Sequence, residues 1–231
     1  MNNPIVFTDI YELAYLEKVK KNVKDLRYQL DQSPFPEEWL KEKIINWSNK
    51  YGFDYDEVLE HLHEDRFFHC GFAKDPSKQA FHEKTAAKYI PKEYRDLVQN
   101  FENLDNGGPK SLSIRAGLII PHEVTVGSNN KTSKTIDFKW QTGETMVYAS
   151  HKHTKTDGGT QNLQFDDVKS SLDEARGINT GIFIAICDGA YYKRSYDSKT
   201  TRLQYLQNTH CCNNVFATDI YNLREILLKY I

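Results

Sequence analysis

The sequence has no long hydrophobic run and few cysteines. No segment approaches the ~18 consecutive apolar residues that a membrane-spanning helix needs. The first residues also lack the basic stretch and apolar stretch of a secretory signal. Four cysteines among 231 residues do not make a disulfide scaffold. These absences argue against a membrane protein and a disulfide-stapled domain, and they predict an intracellular protein.

Phosphate-binding glycine motifs and strongly basic segments are missing as well. The sequence contains neither a Walker loop nor a GxGxxG motif. Residues 1–70 carry 9 Lys and Arg against 14 Asp and Glu, and residues 71–231 carry 21 against 18. Neither part is the basic footprint typical of nucleic-acid binding. If DNA is the partner, the fold must gather basic side chains onto one face.

The first third of the chain reads as helical. Apolar residues recur at helical spacing over residues 8–31, and further helices are expected over 36–51 and 54–63. Asp75-Pro76-Ser77 is a boundary signal, because the residue before a proline disfavours helix and Ser77 is able to cap a new one. We therefore expect a helical N-terminal region over residues 1–75, serving DNA contact or dimerisation, and a core domain over residues 76–231.

The core domain alternates between helical and strand patterns. In chain order, the predicted elements are helices 78–89 and 93–101, strands 113–126, 134–140 and 144–153, helix 161–176, strands 181–187 and 214–218, and helix 219–231. The run Gly181–Cys187 is almost entirely apolar, as in a strand buried on both faces. This order predicts an α/β (α+β) fold with a mixed central β-sheet flanked by helices.

A hairpin in this core brings polar side chains together. With Thr142-Gly143 as a two-residue turn, Asp137 faces Tyr148 across the hairpin. Because side chains alternate along a strand, Asp137, Ser150 and Lys152 then share one face. His151 and His153 point to the opposite face. A carboxylate suits a divalent metal, and a Lys ammonium suits charge that develops on a phosphate.

Asp137 is followed by a hairpin whose second strand carries Ser150-His151-Lys152. This arrangement resembles the PD-(D/E)xK nuclease superfamily, in which the strand commonly reads acid-x-Lys and which includes many type II restriction endonucleases. The resemblance spans roughly residues 77–230. Position 150 is Ser where the commoner motif has an acid, and this matches a variant in which the second acid lies in the following helix. Asp166 and Asp167 lie 14 and 15 positions after Lys152. Asp166 fits that variant better.

The resemblance implies a restriction-endonuclease-like core and assigns roles to its residues. Asp137, Ser150, Lys152 and Asp166 are the expected catalytic residues, with Mg²⁺ bound by Asp137 and Asp166. Glu83, in the first core helix, resembles an additional helical acid that some members contribute to the metal site.

Residues around the glycine-rich segment are the expected DNA contacts. They are His153, Lys155, Thr160 and Gln161. A helix N-terminus suits a phosphate, although Thr160 is equally suited to capping its helix. The loop after residue 126 and the segment Asp188–Tyr192 were further DNA-contact candidates.

A zinc site is an alternative for the histidines and cysteines. His69-Cys70 and His210-Cys211-Cys212 supply suitable ligands, but the CxxC spacing that makes such a prediction strong is missing. Buried reduced thiols are the favoured interpretation.

Together these features predict a Mg²⁺-dependent type II restriction endonuclease that hydrolyses phosphodiester bonds in double-stranded DNA. The resemblance also implies a homodimer, a cognate DNA methyltransferase in the same system, and the cytoplasm of a bacterial or archaeal cell. Two alternatives stay open: a structure- or mismatch-specific repair nuclease of the same fold, and a non-catalytic DNA-binding module.

Overall fold

The structure, a computed structural model, describes residues 9–76, 81–104, 111–121, 134–155 and 159–231. The chain divides into two compact units, residues 1–81 and residues 82–231. Sequence reasoning placed the division near residue 75. No helix in the described ranges is long and apolar enough to cross a membrane.

The first unit consists of helices. Its elements are α1 (Ile10–Gln32), α2 (Glu38–Tyr51), α3 (Tyr55–Glu64) and α4 (Phe68–Phe72). The first three were expected, and α4 was not. Asp9 caps α1 by accepting the Tyr11 N–H at 2.7 Å, and Asp54 caps α3 in the same way. Gly52 ends α2 in the left-handed conformation that glycine adopts readily.

The first unit has its own apolar core. Its buried side chains come from α1 to α4 and the residue that follows them: Leu26, Leu30, Leu40, Ile44, Val58, Leu62, Phe72 and Ala73. The ring of Trp47 packs against Phe68 and Phe72 at centroid distances of 5.8 and 5.7 Å. This separate core explains why residues 1–81 form a unit of their own.

The second unit is built on strands. Its elements in chain order are α5 (Phe81–Glu93), β1 (Gln99–Asn103), β2 (Leu112–Arg115), β3 (Leu118–Pro121), β4 (Lys134–Ile136), β5 (Phe138–Thr142), β6 (Thr145–His153), α6 (Gly159–Glu174), β7 (Ile182–Asp188), α7 (Ala190–Lys193), α8 (Arg202–Thr209), β8 (Val215–Thr218), α9 (Leu223–Leu227) and a final 3₁₀ turn (Leu228–Tyr230). Helix α5 begins at the last residue of the first unit.

Two sheets are present in the described residues. The larger one has the strand order β1-β5-β6-β7-β8, antiparallel from β1 to β6 and parallel from β6 to β8. The smaller, antiparallel sheet has the order β3-β2-β4. Helices flank the larger sheet. The predicted mixed α/β fold, with helices at its N-terminal end, is therefore confirmed.

Strand β7 lies at the centre of the packing. All seven of its residues are buried, as the apolar run predicted. Phe183, Ala185 and Cys187 belong to one core cluster with Phe165 and Val168 of α6. Strand β7 is thus covered on both faces.

Three local expectations in the second unit were wrong. The predicted helix 93–101 is replaced in part by strand β1. Pro91 does not stop α5 at once: the helix continues for two residues to Glu93, although Pro91 has no N–H to donate to the Ala87 carbonyl. The predicted strand 113–126 bends into a β2–β3 hairpin, because Ala116 and Gly117 both adopt positive φ.

The register of the β5–β6 hairpin also differs from the expected one. Thr142 pairs with Thr145, so the turn is Gly143-Glu144 instead of Thr142-Gly143. Gly143 has φ 55° at the first central position, the position that a type II′ turn reserves for glycine. The pairing therefore shifts by two residues, and Lys139, not Asp137, lies opposite Tyr148.

Candidate active site

Asp137 lies where the chain passes from one sheet to the other. Strand β4, which ends at Ile136, pairs with β2 of the smaller sheet, and β5, which begins at Phe138, pairs with β6 of the larger sheet. The predicted continuous strand over residues 134–140 is thus interrupted at Asp137. The residues on either side of Asp137, Ile136 and Phe138, are therefore paired in different sheets.

The Asp137 side chain is buried, with 5% of the residue exposed. Its Oδ2 accepts the main-chain N–H of His151 at 2.7 Å, and its own N–H donates to the Ala149 carbonyl at 2.9 Å. Burial raises the pKa of Asp137 above its ordinary value, and the His151 N–H and the Lys152 charge act in the opposite direction. The carboxylate is thus oriented by β6 but poorly solvated.

Glu83 is the second carboxylate of this region. It lies half-buried in the first turn of α5. Burial raises the pKa of Glu83, the negative charge of Asp137 raises it further, and the positive charges of His151 and Lys152 lower it. Two carboxylates and one ammonium, on three different elements, therefore lie within electrostatic reach of one another.

Lys152 and Ser150 come from the same strand. Lys152 is half-buried near the end of β6, and its charge lowers the pKa of both Asp137 and Glu83. Ser150 is buried and pairs with Ala185 of β7. Asp137, Glu83 and Lys152 thus interact electrostatically, and the neighbouring Ser150 is buried.

His151 forms a buried pair with Asp188. Its Nε2 lies 3.1 Å from Asp188 Oδ2, and both side chains are 2% exposed. Asp188 Oδ1 accepts the Ile220 N–H at 2.9 Å, and the Asp188 carbonyl accepts the Thr154 N–H at 2.9 Å. Asp188 therefore links the ends of β6 and β7 to the segment after β8.

His153 stacks on a histidine of helix α5. The rings of His82 and His153 are nearly parallel, at 7°, with their centroids 3.8 Å apart. Burial lowers the pKa of His153 to about 3, and the charge of His82 adds to this effect. His153 therefore stays neutral at physiological pH, and its DNA contact stays a prediction.

Asp166 lies on the exposed side of α6. Its carboxylate is 62% exposed and pairs with Lys169 at 2.5 Å. The buried residues of the helix at this point are its neighbour Phe165 and Val168. The charges that shift the pKa of Asp137 come from Lys152 and His151. The charge of Asp137 acts on Glu83, and the metal-binding role of Asp166 stays a prediction.

The remaining DNA-contact candidates are placed only in part. Lys155 is exposed just beyond β6, and Gln161 is half-buried in the first turn of α6. Thr160 belongs to the same turn, and its side chain lies outside the described residues, as does the loop after residue 126. In the segment Asp188–Tyr192, Asp188, Tyr191 and Tyr192 are buried and Ala190 is exposed, so only the middle of the segment is accessible and its DNA contact stays a prediction.

The histidines and cysteines do not form a zinc site among the described residues. No three His, Cys, Asp or Glu side chains converge there as a metal cluster. His69 Nε2 bonds the Leu62 carbonyl at 2.7 Å, and His210 Nδ1 bonds Asp173 at 2.9 Å. The four cysteines are free, and Cys187 is fully buried.

Sequence reasoning did not foresee the roles of two residues that organise this region: Asp188, which it considered only as part of a DNA-contact segment, and His82. Asp188 ends the most apolar strand of the chain, and a carboxylate at the carboxyl end of a central strand is a signal that was available. His82 had no such signal, because its stacking partner lies 71 positions away along the chain.

Comparison with known proteins adds little to this geometry. No family model and no curated protein matches the chain. Among solved structures, Can2 from Sulfobacillus thermosulfidooxidans in complex with cyclic tetra-adenylate matches 99% of the chain at 12% identity and a TM-score of 0.35. Protein VC1899 from Vibrio cholerae matches 100% at 10% identity and a TM-score of 0.36. The chain spans 57% of each of these proteins, and similarity this low carries no functional argument.

Proposed function

We propose that this protein is a divalent-metal-dependent endonuclease that hydrolyses phosphodiester bonds in DNA, with Glu83, Asp137 and Lys152 at its active site. One observation carries the proposal. A buried carboxylate and a half-buried one repel each other beside a lysine, at the junction of two sheets. Clusters in which burial and neighbouring charges raise carboxylate pKa values are typical of functional sites.

The two carboxylates fit a bound Mg²⁺. Mg²⁺ prefers oxygen ligands and is commonly held by one or two carboxylates together with water and substrate phosphate. Glu83 and Asp137 supply such oxygens, and a cation between them would relieve the repulsion that raises the pKa of Glu83. When bound there, Mg²⁺ would lower the pKa of a coordinated water and neutralise charge on the phosphate.

The protein's own groups have separate tasks. The His151 main-chain N–H orients the Asp137 carboxylate through one oxygen and leaves the other for a ligand. The Lys152 ammonium stabilises the negative charge that develops on the phosphate. The buried Ser150 leaves the acid position of the commoner motif without a carboxylate, so Glu83 supplies the second negative charge.

The choice of DNA as substrate is supported by the resemblance of Asp137 and Ser150-His151-Lys152 to type II restriction endonucleases. Sequence-specific cleavage of double-stranded DNA by a homodimer, beside a cognate methyltransferase, is the narrower form of the proposal. Plasmid DNA incubated with Mg²⁺ separates the alternatives. Discrete fragments indicate a restriction enzyme, a smear indicates a nuclease without sequence specificity, and intact plasmid indicates a binding module.

The decisive experiment compares isosteric variants of the two acids. Asp137→Asn and Glu83→Gln should each lower the single-turnover rate of Mg²⁺-dependent cleavage roughly a hundredfold or more, because each removes a metal ligand. Both should still bind DNA, since the neutral side chains reduce repulsion of phosphate. Glu93→Gln, at the exposed far end of α5, is the matched control and should cut normally.

Two outcomes would contradict this assignment. Normal cleavage by Asp137→Asn would remove Asp137 from the active site. Normal cleavage by Glu83→Gln, with Asp137→Asn inactive, would mean that another acid completes the metal site.

A further inference from the structure

The stacked histidines join the two elements that carry the proposed catalytic groups. His82 is the second residue of α5, and His153 is the last residue of β6. Their rings are 3.8 Å apart and nearly parallel, so they are in van der Waals contact over their faces. This is a direct contact between the start of the helix and the end of the strand.

Each histidine is covalently adjacent to a residue of the proposed active site. His82 directly precedes Glu83, and His153 directly follows Lys152. His82 and Glu83 belong to one hydrogen-bonded helix, and Lys152 and His153 to one hydrogen-bonded strand, so each pair moves together. A displacement of His82 from His153 would therefore carry Glu83 away from Lys152 and from Asp137.

The strand side of this contact is firmly held. Thr154, the residue after His153, donates its N–H to the Asp188 carbonyl at 2.9 Å and accepts the Tyr191 N–H at 3.1 Å. His151 is fixed through its ring by Asp188 and through its N–H by Asp137. His153 thus sits between two anchored residues and offers a fixed surface on which the His82 ring rests.

We propose that His82 and His153 are a pair of positioning residues, whose stacked rings hold the start of α5, and with it Glu83, against the end of β6 beside Asp137. The inference rests on the proposed function only in assigning Glu83 and Asp137 to a metal. The pair contributes ring surface instead of metal-binding nitrogens, since two parallel rings in face-to-face contact do not direct their in-plane lone pairs at one ion.

The test is Mn²⁺ binding to the full chain, measured by isothermal titration calorimetry without DNA. His153→Ala removes the ring and should weaken Mn²⁺ binding about tenfold, as expected for a residue that orients a metal ligand. His153→Phe keeps a flat ring that stacks on His82, so Mn²⁺ affinity should stay within about threefold of wild type. His82→Ala and His82→Phe should behave in the same way.

A double-mutant cycle separates positioning from a general loss of structure. If the stack acts through Glu83, His153→Ala should have no further effect on Mn²⁺ affinity in a Glu83→Gln background. Destabilisation alone would weaken binding in both backgrounds. Urea midpoints of the metal-free variants show which of them fold. If His153→Ala does not fold, the comparison of His82→Ala with His82→Phe tests the same role of the stacked rings.

Several results would overturn the inference. Wild-type Mn²⁺ affinity in His153→Ala or in His82→Ala would show that the stack does not position Glu83. Affinity as weak in His153→Phe as in His153→Ala would show that a ring nitrogen matters instead of the stacked surface. Failure of the wild type to bind Mn²⁺ would overturn both proposals. A wild type that binds Mn²⁺ through Glu83 but cuts no DNA would contradict the nuclease function alone.

Discussion

Asp188 should be among the most costly residues to truncate in the second unit. It is 2% exposed at the end of β7, and Asp188→Ala removes the acceptor of two buried groups. These are the Ile220 N–H, at 2.9 Å, and the His151 ring, at 3.1 Å. Each buried donor that loses its acceptor costs about 1–3 kcal/mol, so we expect Asp188→Ala to cost about 2–6 kcal/mol for the two together.

An isosteric replacement should recover much of this free energy. Asp188→Asn keeps an oxygen that is able to accept the Ile220 N–H, and its amide still reaches His151. We expect it to cost about 1–2 kcal/mol, close to one altered hydrogen bond. The surface variant Asp96→Ala is the control. It breaks a pair between Asp96 and Arg224 whose side chains are 53% and 43% exposed, so little or no change in stability is expected.

The assay must report on the second unit alone, because a chain with two units need not unfold in one step. Trp140 is fully buried in β5, whereas Trp39 and Trp47 lie in the first unit. Urea unfolding followed by fluorescence in a Trp39→Phe, Trp47→Phe background therefore reads the second unit. A cost below 1 kcal/mol for Asp188→Ala, or one equal to that of Asp96→Ala, would refute the reasoning.

Two further predictions concern the acids of the active site. The pKa values of Glu83 and Asp137 are raised in the folded state. Their contribution to stability is therefore fully present below their ordinary pKa values, about 4, and is lost as the pH rises through the raised pKa values. Urea unfolding in EDTA should thus show the Glu83→Gln, Asp137→Asn variant gaining stability relative to wild type as the pH rises from 4.5 to 7, and an unchanged difference would contradict this. Asp166→Ala loses only an exposed pair with Lys169, so it should change stability by less than about 1 kcal/mol and leave the cleavage rate close to that of wild type. A rate as low as that of Glu83→Gln would instead make Asp166 the second metal ligand.

Local pattern was enough where local interactions decide the structure. The apolar spacing of α1 and the capping residues Asp9 and Asp54 define helices whose signals lie within a few residues of one another. The apolar run of β7 likewise shows its burial on both faces. These features follow from residue chemistry at short range, so no knowledge of the fold is needed.

Turn chemistry was a weaker guide, because one residue decides the register of a whole strand pair. Gly143 was assigned to the second position of the hairpin turn, but it occupies the first. The shift of two residues kept the parity of the strands, since side chains alternate with a period of two. An error of one residue would have turned Ser150 and Lys152 to the other face.

The sequence by itself determined the mixed α/β class, the helical N-terminal unit and the candidate acids and lysine. Only the tertiary structure showed that Glu83 lies within electrostatic reach of Asp137. Asp166 is close to Lys152 along the chain but lies on an exposed helix face, whereas Glu83, 54 positions before Asp137, is brought near it by the packing of α5. Such pairings depend on which faces of distant elements are buried together, and that is set by the packing of the whole domain and not by spacing along the chain.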